Sequence, residues 1–113
     1  MKSLGNEGEA IAVEHLKKLG YTIIDRNYTT PAGEADIVAM DRETVVFVEV
    51  KTRKSEAFGR PFEAVNHKKQ EKLKKVALYF LKQKKQELPV RFDVISIIIA
   101  DGRPDIEHLE GAF

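Results

Sequence analysis

The sequence predicts a mixed α/β fold: a sheet with an antiparallel hairpin on one side, a parallel crossover after it, and two helices as covering layers. Three observations carry this expectation. Apolar residues recur at helical spacing near the start, and two strand-like runs flank the polar triplet Asp41-Arg42-Glu43. A strand, a long helix and another strand then follow in succession, the order of a right-handed parallel crossover. At 113 residues the chain has the length of a single domain, 1–113.

The elements follow in order. Leu4, Gly8, Ile11, Ala12, His15, Leu16 and Leu19 mark the first helix, which Gly20 is placed to stop. Tyr21 to Arg26 reads as a short strand, and Thr29-Thr30-Pro31-Ala32-Gly33 as a turn, because proline fixes one dihedral and glycine permits the unusual one. Glu34 to Met40 and Thr44 to Lys51 form the hairpin, whose second strand is apolar on both faces and therefore central. Thr52 to Pro61 is polar and irregular, and Asn66 is an N-cap candidate for a helix running to about Glu87. Leu73, Val76, Ala77, Phe80 and Leu81 give that helix its inward face. Leu88-Pro89 ends it, and the β-branched run from Arg91 to Ala100 is a buried strand. After the turn at Asp101-Gly102-Arg103-Pro104, Asp105 to Leu109 can pair as an edge strand, leaving Glu110 to Phe113 as a tail with an apolar anchor.

Composition narrows the chemistry. With no cysteine, disulfides, thiolate zinc sites and cysteine nucleophiles are excluded, so any metal needs oxygen or imidazole ligands. The longest apolar run, Ile97 to Ala100, is far short of the roughly 18 residues of a membrane span. Met1 to Glu7 lacks the apolar stretch of a signal peptide, so a cytoplasmic protein without a membrane partner is expected. Asn27-Tyr28-Thr29 matches a glycosylation sequon by coincidence in that setting. The overall charge of +1 hides a partition: from Lys51 to Arg91, 13 basic residues face four acidic ones, leaving −8 on the rest of the chain. Lys68 and Lys69 fall in the first turn of the second helix, where the macrodipole disfavours cations, so local stability does not account for them. A phosphate backbone would. No heptad or apolar patch demands a particular oligomer.

The most informative residues are polar ones inside strands that otherwise read as buried. Glu34 and Asp36 are two apart and share a face, as do Glu49 and Lys51 on the next strand. If the hairpin registers them together, three carboxylates converge beside one ammonium, and such a group must be solvated, paired or bound to a cation. Mg2+ fits, since it prefers oxygen ligands and takes one or two protein carboxylates, leaving other positions to water and phosphate. Asp36 and Glu49 are the first choices, the main-chain carbonyl of Val50 can add a ligand, and Lys51 would sit close to the phosphate. The competing reading is a plain ion pair of Glu49 or Asp36 with Lys51 at the end of the sheet.

Gly33-Glu34-Ala35-Asp36-Ile37-Val38 followed by Val46-Phe47-Val48-Glu49-Val50-Lys51-Thr52-Arg53 resembles the PD-(D/E)XK nuclease superfamily, and more closely the YraN-like family of small bacterial proteins. The likeness extends to Gly8-Glu9, Phe58-Gly59, Lys69-Gln70, Arg91-Phe92-Asp93-Val94 and Ala112-Phe113, nearly the whole chain. It implies a restriction-endonuclease-like fold and phosphodiester hydrolysis with Mg2+ or Mn2+, on DNA in preference to RNA. By the same resemblance Asp36 is the first motif acid, Glu49 the second and Lys51 the motif lysine. Glu9 matches a helix acid that helps hold metal in related junction resolvases, and Gln70 a helix residue that lies beside the active site in several members. Two departures are visible: Ala35 stands where a larger aliphatic residue is more common, and no proline precedes Asp36.

The remaining candidates carry two readings each. Glu34 is a second metal ligand or a holder of Arg53 or Lys51. Glu9 is a metal ligand or a solvated rim carboxylate, and Gln70 points inward as a site residue or a buried structural amide. Asp93 is expected to pair with Arg91 or Arg53. His15, His67 and His108 lack metal-site spacing, though His67 can touch phosphate. Tyr28, Arg53, Lys54 and Arg60 lie in or beside loops flanking the site, where they can grip a nucleic-acid backbone, as Lys68, Lys69 and Lys72 can, or stack on an exposed base; the alternative for each is ordinary surface exposure. A non-catalytic nucleic-acid-binding or recombination-accessory protein of the same fold is the second functional reading.

Overall fold

The computed structural model describes residues 4–54 and 65–113. Helix α1 (Leu4–Lys18) precedes strands β1 (Thr22–Thr30), β2 (Gly33–Asp41) and β3 (Thr44–Arg53). Helix α2 (His67–Lys84), strand β4 (Val90–Ala100) and strand β5 (Arg103–Leu109) follow. One five-stranded sheet runs in the order β1-β2-β3-β4-β5. Only β3 and β4 are parallel, as the crossover requires, and the other three pairs are antiparallel.

Each helix takes one face of the sheet, because the strands alternate their side chains between two apolar clusters. Ala12, Val13 and Leu16 of α1 pack with Ile37, Val46, Val48, Ile95 and Ile97 on one face. Leu73, Val76, Ala77 and Phe80 of α2 pack with Ala35, Val38, Val45 and Phe47 on the other. Val46, Phe47 and Val48 are fully buried, the signature of a strand covered on both sides. Aromatic edges extend the α2 face across the sheet: Phe80 meets Tyr28 and Phe47, each at 5.6 Å between ring centroids. Phe113 stacks on Phe92 at 5.1 Å, which anchors the tail.

Several boundaries differ from expectation: the last strand opens at Arg103 rather than Asp105, because Arg103 and Pro104 already pair with Ala100 and Ile99, and the others have local reasons too. The first strand runs on to Thr30, because a bulge between Ile23 and Asp25 and a left-handed Asn27 (φ 53°) keep the polar stretch in register with β2. The turn is correspondingly tight: the Thr30 hydroxyl accepts from the amides of Ala32 and Gly33 at 3.1 and 3.2 Å. The hairpin loop closes on Arg42 and Glu43 with Asp41 already paired to Thr44, and β3 continues past Lys51 to Arg53. Helix α2 stops at Lys84, where Lys85 turns left-handed (φ 54°) and donates to the carbonyls of Leu81 and Lys82.

Candidate functional site

The site forms where β2 and β3 part. Their ladder ends at the pair Ile37 and Val48. Beyond it Asp36 substitutes its side chain for the missing strand: Oδ2 accepts the Val50 amide at 2.8 Å. In a strand a residue's N–H and C=O lie along the same edge, so the Val50 carbonyl faces the same gap. Glu49 and Lys51 lie two and four residues on from Phe47 and therefore project with it onto the α2 face. There Lys69, from the first turn of α2, bonds Glu49 Oε1, and Lys51 Nζ lies 3.6 Å from that oxygen. The Glu49 side chain is only 5% exposed.

The start of α2 aims Lys69. Asn66 caps the helix, its Oδ1 accepting the Lys69 amide at 2.9 Å. Gln70 Nε2 donates to the Val65 carbonyl at 3.2 Å and steadies the same turn. Beside it a cleft of about 440 Å³ is lined by Gly33, Glu34, Asn66, Lys68, Lys69, Lys72 and Leu73.

The expected convergence of three carboxylates does not occur. Among the described residues no group of three or more acidic or imidazole side chains is placed to hold a metal. The alternation that put Glu34 beside Asp36 breaks at the fork, since Ala35 and Val38, three apart, enter the same apolar cluster. Glu34 is exposed, and its carboxylate accepts from the Thr29 hydroxyl at 3.4 Å rather than holding Arg53 or Lys51. Glu9 is a buried residue, not a solvated rim acid, and its Oε1 takes Arg26 Nε and Asn27 Nδ2 at 3.1 Å each. Arg53 is the last residue of β3 and half-buried; Lys54 is exposed just beyond it. Lys68 and Lys72 are exposed on α2, and His67 lies 3.8 Å from Glu71. Arg60 and Phe58-Gly59 lie outside the described residues.

A family model described as the uncharacterised protein family UPF0102 matches residues 8–97. A UPF0102 protein of Thermodesulfovibrio yellowstonii is 50% identical over 110 residues, covering 97% of this chain and 95% of its own length. One from Geotalea daltonii is 53% identical over 114 residues, 99% of this chain and 90% of the relative, and one from Alkaliphilus oremlandii is 46% identical over 115 residues, 99% and 98%. The chain belongs to the UPF0102 family. This is the family to which the YraN-like resemblance pointed. The matched span of this UPF0102 chain opens at Gly8, beside Glu9, and takes in Asp36, Glu49, Lys51 and Lys69.

The electrostatics of the fork couple its two acids. Burial, and then the Glu49 charge, raise the Asp36 carboxyl from 3.8 to about 6. Burial, and then the neighbouring Lys69 charge, hold Lys51 below the ordinary lysine value. Burial would depress Lys69 as well, but its bond to Glu49 reverses the balance and raises it. The oxygens that could hold a divalent cation here are two carboxylates and one carbonyl: Asp36, which commits Oδ2 to a backbone amide, the desolvated Glu49, and Val50. Hard oxygen donors of this kind suit Mg2+ or Mn2+. Two polar atoms nearby, Ser96 Oγ and Arg53 Nε, are buried without a hydrogen-bond partner among the described residues, and Ser96 pairs across the parallel ladder with Lys51.

On the opposite face the UPF0102 chain holds a network of which the sequence announced only the Asp93 ion pair. Asp93 binds Arg91 through Nε at 2.8 Å and Nη2 at 2.9 Å, and also His108 Nε2 at 2.8 Å and the Gly111 amide at 3.1 Å. Of its two expected partners, Arg91 and Arg53, it takes the first. Arg91 reaches on to Asp41 and Tyr21, and His108 meets His15 of α1 at 3.1 Å. Burial opposes the charge on Asp93, but the His108, Arg91 and Gly111 bonds outweigh it and hold the carboxyl below its ordinary value. This face clasps the tail to the sheet. His15 and His108 lie 93 positions apart, so no spacing pattern announces them.

Proposed function

We propose that this chain is a divalent-metal-dependent nuclease that hydrolyses phosphodiester bonds of nucleic acid, with DNA as the first-choice substrate. The observation that supports it is the meeting of Asp36, Glu49 and Lys51 at the strand fork. Asp36 and Glu49 would hold Mg2+ or Mn2+, with the Val50 carbonyl as a further ligand. When bound, the cation supplies a water acidic enough to attack at neutral pH and neutralises charge on the phosphate oxygens. Lys51, fixed in the strand and partly desolvated, would orient the phosphate and offset its growing charge. Lys54, Lys68 and Lys72 are exposed around the fork and would grip the backbone on either side. The preference for DNA rests on the superfamily resemblance. Selection by substrate structure, such as flaps or junctions, is compatible with the same reading.

The test is cleavage of single-stranded, duplex, flapped and four-way DNA, with a matched RNA, in Mg2+ and in Mn2+. Asp36→Asn, Glu49→Gln and Lys51→Ala are each expected to slow cutting by about 100-fold or more while leaving nucleic-acid affinity nearly unchanged. Absence of cutting on every substrate with either ion overturns the reading. One observation favours a second reading, that of a non-catalytic nucleic-acid-binding accessory protein: Glu49 already has two ammonium neighbours, so the cluster is partly self-neutralised. Retained binding without cutting would select it.

A further inference from the structure

Lys69 sits where the chemistry of its own helix does not want it. It lies in the first turn of α2, which contains no acidic residue, and the dipole there repels cations. Its stabilising partner is Glu49 across the fork, whose side chain is 5% exposed while that of Lys69 is 39% exposed. The two ammonium groups on Glu49 therefore differ in kind. Lys51 is built into the same strand as Glu49 and is 23% exposed. Lys69 arrives on a flexible four-carbon stem from another element, with an open cleft beside it that Lys68 and Lys72 also line. The oxygen it bonds, Glu49 Oε1, belongs to one of the two carboxylates that a divalent cation would use.

We propose that Lys69 is a displaceable counter-ion: it neutralises Glu49 while no divalent cation is bound, and swings into the adjoining cleft when one enters. This rests on the metal-centre reading above. The fork must keep a buried carboxylate compensated at all times, since an unpaired one is strongly destabilising. A tethered monovalent charge does this without closing the site. Displacement then turns the Lys69 ammonium away from Glu49 and toward Lys68 and Lys72 in the cleft that all three line, so filling the centre strengthens the grip on a polyanion. By linkage, a polyanion in the cleft strengthens cation binding to the same extent.

Calorimetric titration of Mn2+ into the full chain, the Lys69→Met variant and the Lys69→Arg variant tests the exchange, with circular dichroism to verify folding. Loss of the competing charge is expected to tighten Mn2+ binding about tenfold in Lys69→Met, and Lys69→Arg to restore the weaker wild-type affinity. Equal or weaker binding by Lys69→Met overturns the exchange while leaving the metal centre intact. No binding by any of the three chains overturns the centre and the exchange together. If Lys69→Met does not fold, Lys69→Gln carries the same comparison. A second measurement is free of substitutions: acylation by an amine-reactive ester, read by mass spectrometry, should rise several-fold at Lys69 on addition of Mn2+ and stay level at Lys51. No rise at Lys69 overturns the swing.

Discussion

Asp36 carries two duties that pull its protonation in opposite directions. As the acceptor of the Val50 amide it prefers to be ionised, while burial and Glu49 raise its carboxyl to about 6. The folded state therefore binds this proton more tightly than the unfolded chain, whose value is 3.8. The resulting contribution favours the fold below about pH 4 and is lost as pH rises through about 6. Asp36→Asn should remove that loss, so its stability relative to wild type is expected to climb across the window by at most about 3 kcal/mol. Urea unfolding at pH 4, 5, 6 and 7 measures this; parallel curves for the two chains would refute the shift. At this scale the sequence was readable where strand alternation holds. Glu49 and Lys51 followed from a period of two, whereas Glu34 did not, because Ala35 and Val38 enter one cluster and the alternation breaks between them. The position of Lys69 was marked by its misfit with the helix dipole, but the signal could not distinguish a phosphate from Glu49 as its partner.

At the scale of elements, α1 comes close to β3 at Gly8. A methyl there would strike the Thr52 hydroxyl and also crowd the Thr52 Cβ and Cγ2 at 2.8 and 2.9 Å. Gly8→Ala gains about 1 kcal/mol of helix propensity, yet it must shift α1 or force Thr52 off its rotamer at about 1 to 3 kcal/mol. Net destabilisation of about 1 kcal/mol is expected, checked by chemical denaturation; a stabilised variant would show the approach to be loose. The shift would also move Glu9, the next residue, away from Arg26 and Asn27. Helical periodicity and the β-branched runs were enough to place both helices, the hairpin and the crossover. They placed β1 only as far as Arg26; its continuation from Asn27 to Thr30 was missed because the pairing survives through a bulge and a left-handed asparagine, neither of which has a hydrophobic pattern.

For the whole molecule, the sheet separates two kinds of polar chemistry. The α2 face carries the fork and the lysine-lined cleft, and the α1 face carries the Asp93 network that binds β4, β5 and the tail. The uneven charge along the sequence is thus converted into a sided molecule. If the cleft tracks a nucleic-acid backbone, replacing Lys68 and Lys72 by glutamine should weaken DNA binding and flatten the salt dependence by about 0.9 in log–log slope per lost phosphate contact. Fluorescence anisotropy from low to moderate salt reads both; an unchanged slope would remove the cleft from the binding path. Both margins of the sheet are also roughened. On β1 the ladder is interrupted by the bulge after Ile23 and the twist at Asn27, and on β5 the outer edge bears Pro104, Asp105 and Glu107. Neither margin offers the flat, uncharged template on which strands of neighbouring copies polymerise. A chain with so apolar a central strand is thereby protected from fibril growth by the irregularity of its borders.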